Sequence, residues 1–282
     1  MIRMASRRRL AQAVLGAALL GGAEPVQAQR FVLELRPRVG DTLRMRLDQT
    51  TEMSGARRGG PPKMVVTTMN MFSRAIVESN EAAHAVILAI TDSVKVSSTD
   101  ERAKPMSPAA IRQLAGSQMR LRLNRDGTIG VADAQSRLSR EVSDLISIMP
   151  ASFPKGSVAV GDTWLREMPI PPSASMGVPL GGLVKAAFRL DSLSGDGQVA
   201  YLSMRGTMHP LTEAVAVADP SALMGSVTGN MVVDRLRGWL SESRFLVEMR
   251  ATIAAASGAA ASAPMQFRLK ITQHMRIIEK RP

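Results

Sequence analysis

Three histidines, His84, His209 and His274, are the residues best suited to acid–base or metal chemistry, and the chain has no cysteine. None of them belongs to a helical pattern with a second histidine or a carboxylate three to five residues on. No metal-ligating motif is therefore legible, although a cluster assembled across strands stays open. Asp41 and Asp162 invite a paired-carboxylate reading of the kind glycosidases use. Their context argues against it, because both sit in the same string: Val39-Gly40-Asp41-Thr42 and Val160-Gly161-Asp162-Thr163. Glycine takes positive φ at little cost and aspartate bonds nearby main-chain N–H groups, so Gly-Asp-Thr reads as a turn that launches a strand. No G-x-S-x-G elbow, H-E-x-x-H pair or glycine-rich phosphate loop occurs. The sequence reads as non-enzymatic and without a cofactor, with an unrecognised hydrolase as a remote alternative.

Methionine is the unusual count, at 19, against only six Phe, two Trp and one Tyr. Met53, Met64, Met69, Met71, Met168, Met176, Met204, Met208, Met224, Met231, Met249 and Met265 lie in or beside strand-like runs. Flexible thioethers line adaptable apolar cavities, and they also fill gaps in a core poor in aromatics. Trp164 and Trp239 each start a strand after a turn and read as packing anchors or ligand-facing platforms.

The elements that must position these residues are mostly strands. Phe31–Leu35 and Leu43–Leu47 alternate apolar and polar, as do Met64–Val77, His84–Val96 and Met119–Leu123. Leu183–Leu193 and Gln198–His209 form a hairpin about Gly195-Asp196-Gly197, and Ser226–Val233 with Trp239–Ile253 form another. Ser107-Pro108 to Gly116 has the cap, proline and terminal glycine of a short helix. Leu138, Val142, Leu145, Ile146 and Met149 form one apolar stripe, so a helix is expected over 134–149. In the last strand Phe267, Leu269, Ile271, Met275 and Ile277 face one way. Arg268, Lys270, His274 and Arg276 face the other, either as an anion-binding stripe or as a solvated sheet face. The fold class is mainly β: a strongly curved antiparallel sheet or open half-barrel of about ten strands, with one amphipathic helix packed on it. The two Gly-Asp launches divide it into similar halves, about 30–132 and 154–280, within a single domain over 29–282.

Residues 1–28 read as a signal peptide. Arg3, Arg7, Arg8 and Arg9 precede an apolar run from Leu10 to Ala23, and Val26-Gln27-Ala28 supplies the small residues of a cleavage site. Ser6-Arg7-Arg8-Arg9-Leu10 also resembles a twin-arginine signal. Export to the periplasm or beyond is expected, with no integral membrane segment after cleavage. The net charge is +12, of which the leader holds +3, leaving +9 on 254 residues. Such a chain is drawn to anionic envelope surfaces. Scarce aromatics argue against nucleic acid, which needs stacking platforms among the basic residues.

These launch motifs, together with Pro154 to Trp164 and the hairpin from Gly225 to Gly238, resemble a family of exported bacterial β-rich proteins of uncharacterised function. That pattern has an aromatic residue or leucine after the first Gly-Asp-x, here Leu43. More distantly, a curved sheet crossed by a helix is similar to the bacterial periplasmic lipoprotein-carrier fold, which implies shelter for acyl chains. The expected function is a binding module for a hydrophobic or lipid-like ligand. Its candidate cavity residues are Leu138, Val142, Leu145, Ile146, Met149, Trp164, Met204 and Trp239. The alternative is an envelope interaction or structural protein with a solid core and a basic surface.

Overall fold

A computed structural model describes residues 29–55, 63–100, 108–132, 153–170, 182–210, 224–253 and 265–278. The expected leader and the helix expected over 134–149 lie outside the described residues. Two short strands, β1 (Phe31–Val32) and β7 (Ser157–Val158), pair with each other. The other eleven form one antiparallel sheet. These are β2 (Thr42–Gly55), β3 (Lys63–Asn80), β4 (His84–Ser98), β5 (Gln118–Asn124), β6 (Ile129–Val131), β8 (Thr163–Ile170), β9 (Gly182–Leu193), β10 (Val199–Pro210), β11 (Met224–Asp234), β12 (Trp239–Ile253) and β13 (Met265–Ile277). The helix α1 (Pro108–Leu114) stands between β4 and β5, as its cap and proline predict.

The spatial order is β6-β5-β4-β3-β2-β13-β12-β11-β10-β9-β8. Two up-and-down meanders, β2 to β6 and β8 to β13, thus meet where β2 pairs with β13. The order ends at β6 and β8, so the sheet is not closed into a barrel. Its strands are long: the 18 residues of β3 reach roughly 60 Å at about 3.3 Å per residue.

Tight turns gather at one end of the sheet, the base, and a strap from Leu33 to Pro37 crosses it. The alternation over Phe31–Leu35 predicts a strand, but only Phe31–Val32 pairs in a ladder. The strap's main chain instead bonds turns of opposite meanders: Leu35 N–H to the Arg125 carbonyl (3.0 Å) and Arg36 N–H to that of Gly238 (2.9 Å). Asn80 holds the Pro37 carbonyl at 2.7 Å. Phe153 joins the sheet's two limits. Its N–H donates to the Asp126 carbonyl between β5 and β6, and its carbonyl accepts from the Arg166 guanidinium on β8. Two turns so far apart in strand order share these partners only because the sheet is strongly curved. Leu33, Leu35, Phe153 and Val158 fill the space between the meanders, packed in one core cluster with Leu43, Ile87, Leu123, Phe188, Leu202 and Val233.

The two Gly-Asp launches are built alike. Gly40 N–H donates to the Val77 carbonyl (2.9 Å), and Val77 N–H returns a bond to Asp41 O (3.0 Å). Gly161 N–H donates to the Leu190 carbonyl (2.7 Å), and Leu190 N–H returns one to Asp162 O (3.1 Å). Their φ angles are +87° and +94°, a region that L side chains rarely enter. Asp162 also closes its own turn, its Oδ2 accepting from Ala159 N–H (3.0 Å) and from Arg30 (3.2 Å). These aspartates are turn formers, as their context predicts.

Candidate functional site

Strand register sorts the side chains into an inner face, toward the core cluster, and an outer face. One inner row, at the end opposite the base, runs Met168, Val184, Met208, Gly225, Met249, Leu269, Met53, Val65 across eight strands. Every residue in it is apolar. Another runs Leu190, Leu202, Met231, Ser243, Met275, Leu47, Met71, Val94. Of the methionines noted in the sequence, Met53, Met69, Met71, Met168, Met204, Met208, Met231 and Met249 converge on one face, Met176 lies outside the described residues, and two others do not join them. Met64 and Met224 lie on the outer face and are 61% and 68% exposed.

The inner face is not uniform. Over β9, β10 and β11 it is closed: Ala186, Phe188 and Leu190 are 0% exposed and Leu202 is 1%. Trp164 stacks on Phe188, ring centroids 6.1 Å apart and planes 11° from parallel. Met204 and Trp239 are buried in the same core cluster. Of the sequence-expected cavity residues, these three are brought into the packed wing. Leu138, Val142, Leu145, Ile146 and Met149 lie outside the described residues.

Over β13, β2 and β3 the inner face is more open. Met45, Leu47, Met69, Met71 and Met275 are each only partly buried, and so are Gln49, Thr51, Thr67 and Gln273 between them. Gln49 and Gln273 stand directly opposite each other across the β2–β13 pair. Gln49 Nε2 donates to Thr51 Oγ1 at 3.3 Å. This patch was only half legible in the sequence. Its methionines stood out by count, but the glutamines carried no signal without the register. A thioether surface with a few convergent amides has the chemistry of a site that holds an apolar ligand and orients its polar end.

Two members of the basic stripe on β13 are matched by carboxylates on its neighbours. Lys270 Nζ lies 3.3 Å from Glu52 Oε1, and His274 Nε2 lies 2.9 Å from Glu242 Oε1. Burial pushes the Glu242 carboxyl up, but hydrogen bonds from His274 and Arg244, with their charges, hold it below its ordinary value. Asp48 behaves likewise. Burial raises it, while bonds from Arg46 and Asn70 and the charges of Arg46 and Arg276 bring it below the usual range. Neither Arg268 nor Arg276 makes an ion pair among the described residues, although the Arg276 charge acts on Asp48. Among those residues no group of three His, Asp or Glu could hold a metal ion, and no helix is long and apolar enough to cross a membrane.

No protein-family model matches the chain, and no curated protein matches it in sequence. Among solved structures, a lipovitellin chain, described in a study of lipid–protein interactions, is similar with a TM-score of 0.53 and 9% identity. The likeness covers 86% of this chain and 25% of that one, so the chain spans a quarter of its neighbour's length. DynF of the dynemicin biosynthesis pathway of Micromonospora chersina aligns at 9% identity over 89% of this chain and 90% of its own, with a TM-score of 0.22. An outer membrane channel from Pseudomonas putida F1 aligns at 9% over 86% and 98%, also at 0.22. These last two carry no argument, and the likeness to lipovitellin is one of fold alone.

Proposed function

We propose that this protein is a non-enzymatic, exported binding module that shelters a hydrophobic or lipid-like ligand against the open part of its inner face. The observation that carries the reading is the partly exposed run Met45, Leu47, Met69, Met71 and Met275, beside the closed wing of β9 to β11. An apolar surface left open beside a filled core would be a liability unless something covers it. Gln49 and Gln273 would bond the polar end of the ligand, and the methionines would adapt to its chain. The curved sheet that resembles lipovitellin, a protein studied for its lipid interactions, supports the same reading. The leader expected at residues 1–28 is the sequence feature that supports a location in the envelope or outside the cell.

The second reading is an envelope interaction or structural protein with a solid core. It is favoured by the 0–1% exposure of Phe188, Leu190, Leu202 and Val233. Mass spectrometry of organic extracts of the purified protein separates the two. A co-purifying lipid that is lost from Met71→Lys, with the fold retained by circular dichroism, supports the binding module. An empty wild-type protein that also fails to take up a fluorescent fatty-acid probe leaves the structural reading in its place.

A further inference from the structure

At the end opposite the base, one row on the outer face runs Met224, Arg250, Arg268, Ser54, Met64 across β11, β12, β13, β2 and β3. Arg250 and Arg268 are directly opposite each other and exposed, and neither has a carboxylate partner among the described residues. Like charges facing each other across a strand pair destabilise it, so this arrangement is unfavourable until an anion joins it. The next row inward is Ser226, Glu248, Lys270, Glu52, Val66. Its Glu52 is engaged by Lys270, and Glu248 stands opposite the same lysine, which leaves the arginine pair uncompensated. Apart from Val66, the residues of these rows line an open groove of about 600 Å³. Met64 and Met224 flank it, separated by four strand spacings, or roughly 19 Å.

We propose that this rim docks on a membrane surface rich in anionic phospholipid, with lipid phosphates on Arg250 and Arg268 and the two methionines between headgroups. Arginine's planar fork matches phosphate oxygens, and its charge stays on at any physiological pH. A free inorganic phosphate would find only two exposed side chains here, because the strand N–H groups are spent in the ladders. A membrane surface offers many phosphates together with an apolar layer for the methionines, which a soluble anion cannot. The rim does not require that the inner face hold a ligand. Attachment is read by sedimentation and ligand retention by mass spectrometry, so either can fail alone.

The test is co-sedimentation of the purified protein with phosphatidylcholine vesicles, with and without phosphatidylglycerol. Arg250→Ala/Arg268→Ala should weaken the phosphatidylglycerol-dependent binding by about tenfold or more, since each basic residue at such a surface counts substantially. Arg122→Ala/Arg205→Ala removes the same charge from exposed outer-face positions away from the rim. That pair should change binding by no more than about twofold. If the alanine pair at the rim does not fold, Arg250→Gln/Arg268→Gln serves in its place. Equal losses from both pairs would mean that net charge alone acts, and no loss at the rim would remove the site; either result overturns the proposal. Saturable calorimetric binding of inorganic phosphate that the rim variant abolishes would also overturn it, in favour of a soluble anion.

Discussion

Leu35 and Arg125 exchange two hydrogen bonds: Leu35 N–H donates to the Arg125 carbonyl, and Arg125 Nη1 returns one to the Leu35 carbonyl, both at 3.0 Å. The same guanidinium also reaches the carbonyls of Ala82 and Glu81 and the Asn80 amide oxygen. One side chain thus ties the strap to the β3–β4 turn and to its own turn between β5 and β6. Arg125→Lys keeps the charge but cannot serve this fan of acceptors. Leaving the partly buried Leu35 carbonyl and Asn80 amide oxygen without this donor should cost about 1–3 kcal/mol in denaturant unfolding. An unchanged midpoint would show that the strap is held by its apolar side chains alone.

Alanine at either launch glycine should be costly. Gly40 and Gly161 have open space where a Cβ would stand, so the penalty is conformational and not steric crowding. Each single change should lower stability by about 1 kcal/mol or more, with the two effects nearly additive because the turns are separate. A neutral result at both would mean that the turns relax to negative φ.

Gly229 poses the opposite case. A Cβ there would overlap Phe245 Cδ1, stand 2.6 Å from Cε1 and lie 2.8 Å from the Arg244 carbonyl oxygen. The Phe245 ring lies in the space that the missing side chain leaves. Gly229→Ala should destabilise by about 1–3 kcal/mol through overpacking. In a Phe245→Ala background the same change should cost measurably less, and an identical penalty in both backgrounds would exclude the ring as the cause.

Stability should fall on the acid side. Glu242 and Asp48 both have carboxyls held below their ordinary values in the folded protein. Groups of this kind contribute stability above the unfolded-state pKa and lose it as pH falls through the folded-state value. The loss should begin below about pH 5 and deepen toward the folded-state values. Glu242→Gln or Asp48→Asn should lower stability at neutral pH and flatten the acid limb. Parallel curves for wild type and both variants would show that these carboxylates do not drive the transition.

Much of the sheet was legible because alternation and turn chemistry are local. The β13 pattern assigned Phe267, Leu269 and Ile271 to one face and Arg268 and Lys270 to the other, and register agrees. Gly197 and Gly238 end hairpin turns with positive φ, as Gly-Asp-Gly and a closing glycine lead one to expect. The strap was misread because Phe31–Leu35 alternates like a strand while its bonds go to turns about 90 and 200 residues away, which no local period encodes. The stripe on β13 had the same difficulty. Its cations were visible in one strand, but Glu242 and Glu52 became their neighbours only through pairing. Met204 lies in the closed wing because its cross-strand neighbours Phe188 and Gly229 stand on both sides of it, and residue type alone does not decide this.

The junction of β2 with β13 bears on how the chain reaches this shape. Glu52 and Lys270 meet across 218 residues of sequence, so one side of β2 has no partner until β13 has formed. Each meander can zip from its own hairpins, whereas joining them requires a loop closure spanning most of the polypeptide. Until then two long strand edges are bare, one on each half, and each is a template for the wrong chain. A protein arranged this way should fold late and in two blocks. A cut between β6 and β7 would spare both blocks, while loss of β13 would strand the first one with an open flank.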